Sequence, residues 1–427
     1  MLKNLFKKII INIITWQAKQ VLKKHNPMVI GITGNIGKTS TKDSIAVALQ
    51  TLSVRENKKS LNSEFGVPLT VLNQKTGWNS IIKWSKVILA GFKEIRTKDY
   101  PKILILEIGA DHKGDIKNLM KWLKLDIAVM TQFAEVPVHI ENFDSKEQML
   151  KEKSYIVKGL KKGGIFIFNA DCEDCVNISK KVRDDVKTIS FGEKTGDCRA
   201  NMIINDIKNK NVHSQINYNN KKYNLICNSV IGNASILAAM PAIIIADHYR
   251  LNLPNVVESL KDMERAPGRM RLLEGKGGSV ILDDSYNSSP LALMNGLKTL
   301  NETNVIGRKI VILGDMLELG EFTRQEHYKM GSEVKRVAHV LVTVGSRAKF
   351  IAEGARDAGM EDGWILECSR SDEAGKEVLS IIKSGDLVYI KGSQGVRMEK
   401  ATKILVDTNV VNVSKDLPRQ EEEWLKR

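Results

Sequence analysis

Residues 30–41 read Ile-Gly-Ile-Thr-Gly-Asn-Ile-Gly-Lys-Thr-Ser-Thr, after an apolar stretch and before a helical pattern. A glycine-rich turn that ends in Gly37-Lys38-Thr39 and opens a helix is suited to holding phosphate. Its backbone N–H groups and the helix N-terminus face the anion. Lys38 reaches the terminal phosphates and Thr39 offers a hydroxyl to Mg²⁺. The general phosphate-loop pattern has a glycine five residues before Gly37, and Ile32 stands there. What remains is a narrower variant made of Gly34, Asn35, Ile36, Gly37, Lys38, Thr39 and Ser40. Glu107 ends an otherwise apolar run, where a carboxylate can share the Mg²⁺ of Thr39 and the phosphates. His139 follows the next apolar run and reads either as a second metal ligand or as a plain loop histidine. Lys153 sits in a helical, exposed-looking stretch and on its own reads as a surface lysine.

The elements that would position these residues alternate. Met28 to Thr33, Ile103 to Ile108, Ile127 to Thr131 and Gly164 to Asn169 read as buried strands. Helical patterns over Lys38 to Thr51, Ile116 to Leu123 and Lys146 to Leu160 separate them. Such alternation predicts a mostly parallel, doubly wound α/β sheet, with ligands beyond the carboxyl ends of its strands. From about Cys198 to Val230 short alternating runs with Asn-Lys and Asn-Asn turns predict antiparallel hairpins at the edge of that sheet, and Ala234 to His248 reads as a helix. Ala266-Pro267-Gly268 breaks the pattern. Beyond it Ser279 to Leu282, Lys309 to Leu313, Val340 to Val344 and Leu387 to Ile390 predict a second, Rossmann-like α/β unit. The expected division is an N-terminal amphipathic helix (1–26), an ATP-binding domain (27–267) and a C-terminal domain (268–427).

At 427 residues the chain exceeds one ordinary core. A net charge of +15 suits anionic small substrates or an anionic membrane surface. Nucleic acid is not expected as a partner, because the sequence shows no RNA- or DNA-binding motif with interleaved aromatics. Five cysteines argue for a reducing, cytoplasmic setting, and Cys172 and Cys175 lack the second pair a structural zinc site needs. No run reaches the roughly 18 apolar residues of a membrane span. The start of the chain carries Lys3, Lys7, Lys8, Lys19, Lys23 and Lys24 with no acid, around Ile9-Ile10-Ile11 and Ile13-Ile14. No small-residue cleavage site follows it, so a signal peptide is not expected. Two readings stay open: a helix lying on anionic lipid at the inner face of the membrane, or a helix docked on the body of the protein.

The motifs also carry a resemblance. Thr33-Gly34-x-x-Gly37-Lys38-Thr39, Asn62-Ser63-Glu64-Phe65-Gly66-Val67-Pro68-Leu69, Leu106-Glu107-Ile108-Gly109-Ala110, His139-x-Glu141, Glu152-Lys153 and Asn169-Ala170-Asp171 resemble the Mur ligases in order and spacing. Gly268-Arg269-Met270, Asp283-Asp284-Ser285-Tyr286-Asn287, Gly314-Asp315-Met316-Leu317-Glu318-Leu319-Gly320, His327 and Lys391-Gly392-Ser393 look like the branch that adds D-alanyl-D-alanine to a UDP-muramoyl tripeptide. The resemblance covers about residues 28 to 405. It implies an ATP-dependent amide ligase of cell-wall peptide assembly, working as a monomer on small molecules. These would be a muramoyl-peptide-like carboxylate and an amino acid or D-alanyl-D-alanine.

The resemblance also implies roles. Lys38 and Thr39 hold the phosphates and a first Mg²⁺ that Glu107 completes. His139 binds a second Mg²⁺, and Lys153 falls where the family carries a carbamylated lysine. Arg269 reaches the nucleotide phosphates from the second domain. Asp284 takes the ribose, with Tyr286 and Asn287 near the nucleoside. Asn62 and Ser63 contact substrate. Asp315, Glu318 and His327 lie in segments facing the incoming amine, and Lys391 and Ser393 line the same cleft. The chain departs from the family pattern at Gln132 and Ser235, both usually Asn, with Asn233 a substitute for the second. Only about 27 residues precede the first strand, where the family carries a domain that grips the UDP sugar. A Mur-type ligase with a non-UDP acceptor, or an ATP-binding scaffold without turnover, therefore stays open.

Overall fold

The structure is a computed structural model that describes residues 2–57, 62–77 and 80–425, with the side chains of residues 2–6, 423 and 425 outside the described set. Nine strands form the first sheet: β1 (Met28–Thr33), β2 (Val54–Glu56), β3 (Ile103–Glu107), β4 (Leu125–Met130), β5 (Leu160–Asn169), β6 (Lys187–Gly192), β7 (Cys198–Asp206), β8 (Asn211–Tyr218) and β9 (Lys221–Asn228). Their order is β2-β3-β1-β4-β5-β6-β7-β8-β9. Pairing is parallel from β2 through β7 and antiparallel from β7 to β9. The apolar runs of β1, β3 and β4 are buried on both faces, as parallel strands covered by helices require. The hairpins expected at the sheet edge are present.

After β1 the chain builds β2 and β3 on one side, then crosses to β4 on the other. This puts a topological switch point at the carboxyl end of β1, where open α/β sheets bind ligands. The helix Lys38–Ala48 starts there, and Gly37 precedes it at φ +82°. Gly34, at φ +148°, has no room for a side chain, because a Cβ would lie 2.0 Å from Thr131 Oγ1. The helix Asn233–His248 is apolar all round and buried against this sheet, as a helix without a polar face must be.

The second sheet contains β10 (Arg271–Glu274), β11 (Val280–Asp284), β12 (Lys309–Gly314), β13 (Val340–Val344), β14 (Ile365–Cys368) and β15 (Leu387–Lys391) in the order β10-β11-β15-β12-β13-β14. All its pairings are parallel except β10 with β11. β2, β6, β10 and β14 are strands that the sequence pattern did not reveal. β14 is a short edge strand whose middle residues are only partly covered, so it lacks the continuous apolar run of its neighbours.

The N-terminal helix, Leu2–His25, docks on the body. Ile10, Ile14, Ala18 and Val21 point inward and are at most 3% exposed. Gln17 is fully buried and donates to Ile88 O at 2.8 Å, entering beside Gly91, where a Cβ would meet its amide oxygen at 2.3 Å. Lys24 caps the end of the helix Ile81–Arg96 through the carbonyls of Ile95 and Thr97. Among the described residues no helix is long and apolar enough to cross a membrane.

Candidate active site

A cavity of about 690 Å³ lies between the carboxyl ends of the two sheets and is lined from both. Its first wall is the phosphate loop. Thr39 Oγ1 donates to Glu107 Oε2 at 2.8 Å, and Asn62 Nδ2 donates to Glu107 Oε1 at 2.9 Å. The carboxylate is only 3% exposed. The Glu107 backbone N–H donates to Asn57 Oδ1, which fixes the end of β3. The lysines Lys38 and Lys153 converge on one atom. Lys38 Nζ lies 3.0 Å from Gly34 O and 3.2 Å from Asn35 O, and Lys153 Nζ lies 3.5 Å from the same Gly34 O.

That arrangement sets the electrostatics. Burial lowers the Lys38 pKa, with Glu107 opposing it. Lys153, 3% exposed on the inner face of the helix Lys146–Lys158, is brought down to about 7, first by burial and then by the Lys38 charge. The surface reading of Lys153 is therefore replaced by a buried lysine with a large neutral fraction near neutral pH.

His139 sits at φ +66°, in the left-handed region that non-glycine residues seldom occupy. Its Nδ1 is 2.8 Å from Glu318 Oε2, which belongs to the second sheet's loops, and its Nε2 is 3.5 Å from Asp111 Oδ1. The histidine thus bridges the two halves.

The second wall carries Arg269, Asp284, Tyr286, Asn287, Lys391 and Ser393. Asp284 and Lys391 are register partners at the ends of β11 and β15, and their side chains pair at 2.6 Å. Lys391 Nζ also donates to Asn287 O at 2.9 Å. Arg269 lies over the Tyr286 ring, 4.3 Å from its centroid. Its Nε is buried and has no hydrogen-bond partner among the described residues, so it can serve an anion in the cavity. Asn233 and Ser235 both line the cavity, and Gln132 lends its carbonyl to the loop at Asn35 N.

Three expected substrate residues lie elsewhere. His327 is fully buried, and both its nitrogens are used: Nδ1 donates to Thr323 O at 2.6 Å and Nε2 accepts from Met316 N–H at 2.9 Å. Asp315 accepts from the backbone N–H groups of Arg347 and Ala348. Both hold the loop that carries Glu318 and do not line the cavity. Ser63 is exposed outside it, whereas its neighbour Asn62 is inside. Residues missed in the sequence are Asp111, which faces Lys38 and Lys153 electrostatically, and Asn57 and Thr131, which brace β3 and the loop. Asp111 follows the end of β3, and that position was the available signal.

The donor set fits a magnesium ion that arrives with its nucleotide. Among the described residues no cluster of His, Cys, Asp and Glu could hold a metal ion alone. Mg²⁺ takes one or two carboxylates and completes its octahedron with phosphate and water, which Thr39 and Glu107 beside a phosphate loop allow.

Comparison with known proteins decides the family. The Mur ligase middle domain matches residues 32–246, and the Mur ligase, glutamate ligase domain matches residues 268–394. The chain belongs to the Mur ligase family. Mur ligases are ATP- and Mg²⁺-dependent enzymes that form carbon–nitrogen bonds, and this chain is one of them. It is 27% identical over 396 residues to the UDP-N-acetylmuramoyl-tripeptide–D-alanyl-D-alanine ligase of Bacillus subtilis, covering 92% of this chain and 78% of that one. The Escherichia coli enzyme of the same name is 24% identical over 402 residues, covering 91% and 78%. Among solved structures, MurF ligase from Thermotoga maritima in complex with ADP superposes with a TM-score of 0.76 at 23% identity, over 92% of this Mur ligase and 83% of that chain. MurF from Acinetobacter baumannii gives 0.75 at 20% identity, over 92% and 79%. These structural likenesses bear out the α/β fold read from the sequence.

Proposed function

We propose that this Mur ligase joins a muramoyl-peptide carboxylate to D-alanyl-D-alanine, working as a monomer in the cytoplasm, where ATP is available. The observation that carries the reading is that the phosphate loop, Glu107 and Lys153 line the same cavity as Arg269, Asp284 and Lys391. The curated relatives named above support the choice of substrates.

The chemistry follows from what the residues can do. An oxygen of the substrate carboxylate attacks the γ-phosphorus of ATP, and the bond to the ADP oxygen breaks. The amine nitrogen of the incoming dipeptide then attacks the acyl carbon. Phosphate leaves with the former carboxylate oxygen, and the amine proton passes to solvent. Two anions must be held together, so cations and alignment do most of the work. Lys38 balances charge on the phosphates from the loop side, and Arg269 does so from the other wall. Thr39 and Glu107 would hold a first Mg²⁺ and His139 and Lys153 a second, and the bound metal would screen the repulsion between carboxylate and phosphate. Asp284, fixed by Lys391, takes the ribose, with Tyr286 and Asn287 beside the nucleoside.

We take Lys153 to be carbamylated. Its neutral amine adds to the carbon of CO₂, forming the N–C bond and releasing one proton to solvent. The product is an anion beside Lys38, so a like-charge contact becomes an attractive one and gains two oxygen donors. We divide the chain at residues 26 and 267, with Gly268 (φ +71°) at the hinge by which the second domain carries Arg269 toward the loop.

The test is phosphate release across a panel of acceptors and amines, with product mass. Amide formed from a UDP-muramoyl tripeptide and D-alanyl-D-alanine supports the reading. Turnover only with a different acceptor would reject the substrate assignment, and ATP consumption without amide would reject the ligase reading.

A further inference from the structure

The docked N-terminal helix and the helix Ile81–Arg96 lie side by side, and their outer faces are unusually apolar. Ile82 is 72% exposed, Leu89 70%, Trp16 49%, Ile9 48% and Phe92 41%. The helices share this surface, because the Trp16 and Phe92 rings are 6.0 Å apart. Spacing makes it continuous. Ile9 and Trp16 are seven residues apart on one helix, as are Ile82 and Leu89 on the other, so each pair lies on one stripe. Soluble surfaces seldom gather this many large apolar side chains without a partner.

The rim is basic. Lys8, Lys19 and Lys23 on the first helix and Lys86, Lys93 and Arg96 on the second are all exposed. The first helix has no acid, and the second has Glu94, which turns inward to Arg55 at 2.8 Å. A second copy of the chain would set these cations against their own kind, which opposes self-association. An anionic bilayer instead matches both features at once. Aromatic and aliphatic side chains enter the headgroup boundary and the flanking cations meet lipid phosphate.

We propose that this two-helix face seats the enzyme on the surface of an anionic membrane while the first helix remains docked. The inference does not depend on the ligase reading. Docking and membrane contact, which the sequence left as alternatives, use opposite sides of the same helix: Ile10, Ile14 and Val21 face the body, and Ile9 and Trp16 face out.

The experiment is co-sedimentation of the full-length chain with vesicles of phosphatidylcholine alone or of equal parts phosphatidylcholine and phosphatidylglycerol. Binding to the anionic vesicles only, weakened by salt, is expected. Ile82→Ser/Leu89→Ser removes two exposed side chains and is expected to lower that binding about tenfold or more, with unchanged melting temperature and ATP turnover. Lys86→Glu/Lys93→Glu is expected to lower it as well. Absence of vesicle binding, equal binding to both vesicle types, or a dimer in ultracentrifugation that Leu89→Ser dissolves would overturn the proposal.

Discussion

Lys38→Ala is expected to lower ATP turnover by about 10²–10³-fold, the usual effect of removing a preorganised charge from a transition state. The ammonium is held by the Gly34 and Asn35 carbonyls at the mouth of the phosphate loop. Its position is therefore set before nucleotide arrives, and little reorganisation is needed when charge moves onto the γ-phosphate oxygens. The fold is expected to survive. The loop is shaped by Gly34, Gly37 and the Thr131 hydroxyl, and burial disfavours the lysine's charge. Steady-state phosphate release and thermal melting measure the two halves of this expectation. Turnover near the wild-type rate would reject the phosphate-loop assignment.

Lys153→Ala is expected to cost about a hundredfold or more in amide formation, since it removes a charged group from the reacting centre. Short carboxylates added to the assay are expected to restore part of the loss by occupying the space the carbamate leaves. The wild type carries its own signature. With the Lys153 pKa near 7 instead of 10.5, the amine is free to add CO₂ above neutrality and is blocked as an ammonium below it. Activity is therefore expected to rise with pH through about 7, and bicarbonate depletion is expected to slow the enzyme. Stability follows the same sign. Between about 7 and 10.5 the unfolded chain binds the proton that the folded chain has released, so this group favours folding more as pH rises. Carbon-13 NMR with labelled bicarbonate reads the adduct directly. A fully active enzyme with an unmodified Lys153 ammonium would end the carbamate proposal.

Local chemistry made the phosphate loop legible. The order strand, glycine turn, Gly37-Lys38-Thr39 and helix has one structural meaning, and Gly34 and Gly37 take the backbone angles that only glycine adopts easily. Glu107 was legible because an acid at the end of an apolar strand lies at the carboxyl edge of the sheet. The fate of Lys153 was not visible. Its helix is mainly polar, and burial came from tertiary packing against the loop. His327 and Asp315 mark the limit of motif reading. A motif gives the segment, but which side chain turns into the cavity and which holds the backbone depends on partners such as Met316, Thr323 and Ala348. The His139–Glu318 contact joins loops of different sheets, and no local pattern announces it. The first helix stayed open because a face spaced to dock and a face spaced to meet lipid obey the same periodicity. Here one face docks on the body and the other leaves Ile9 and Trp16 exposed.

The central claim is that the cavity activates a carboxylate by transferring the γ-phosphoryl group to it. An acceptor labelled with oxygen-18 in that carboxylate tests this in one turnover experiment, with the mass of the released phosphate as the readout. The account predicts that each amide formed delivers one labelled oxygen into inorganic phosphate. Amide formation with unlabelled phosphate, or with the label in AMP, would contradict it.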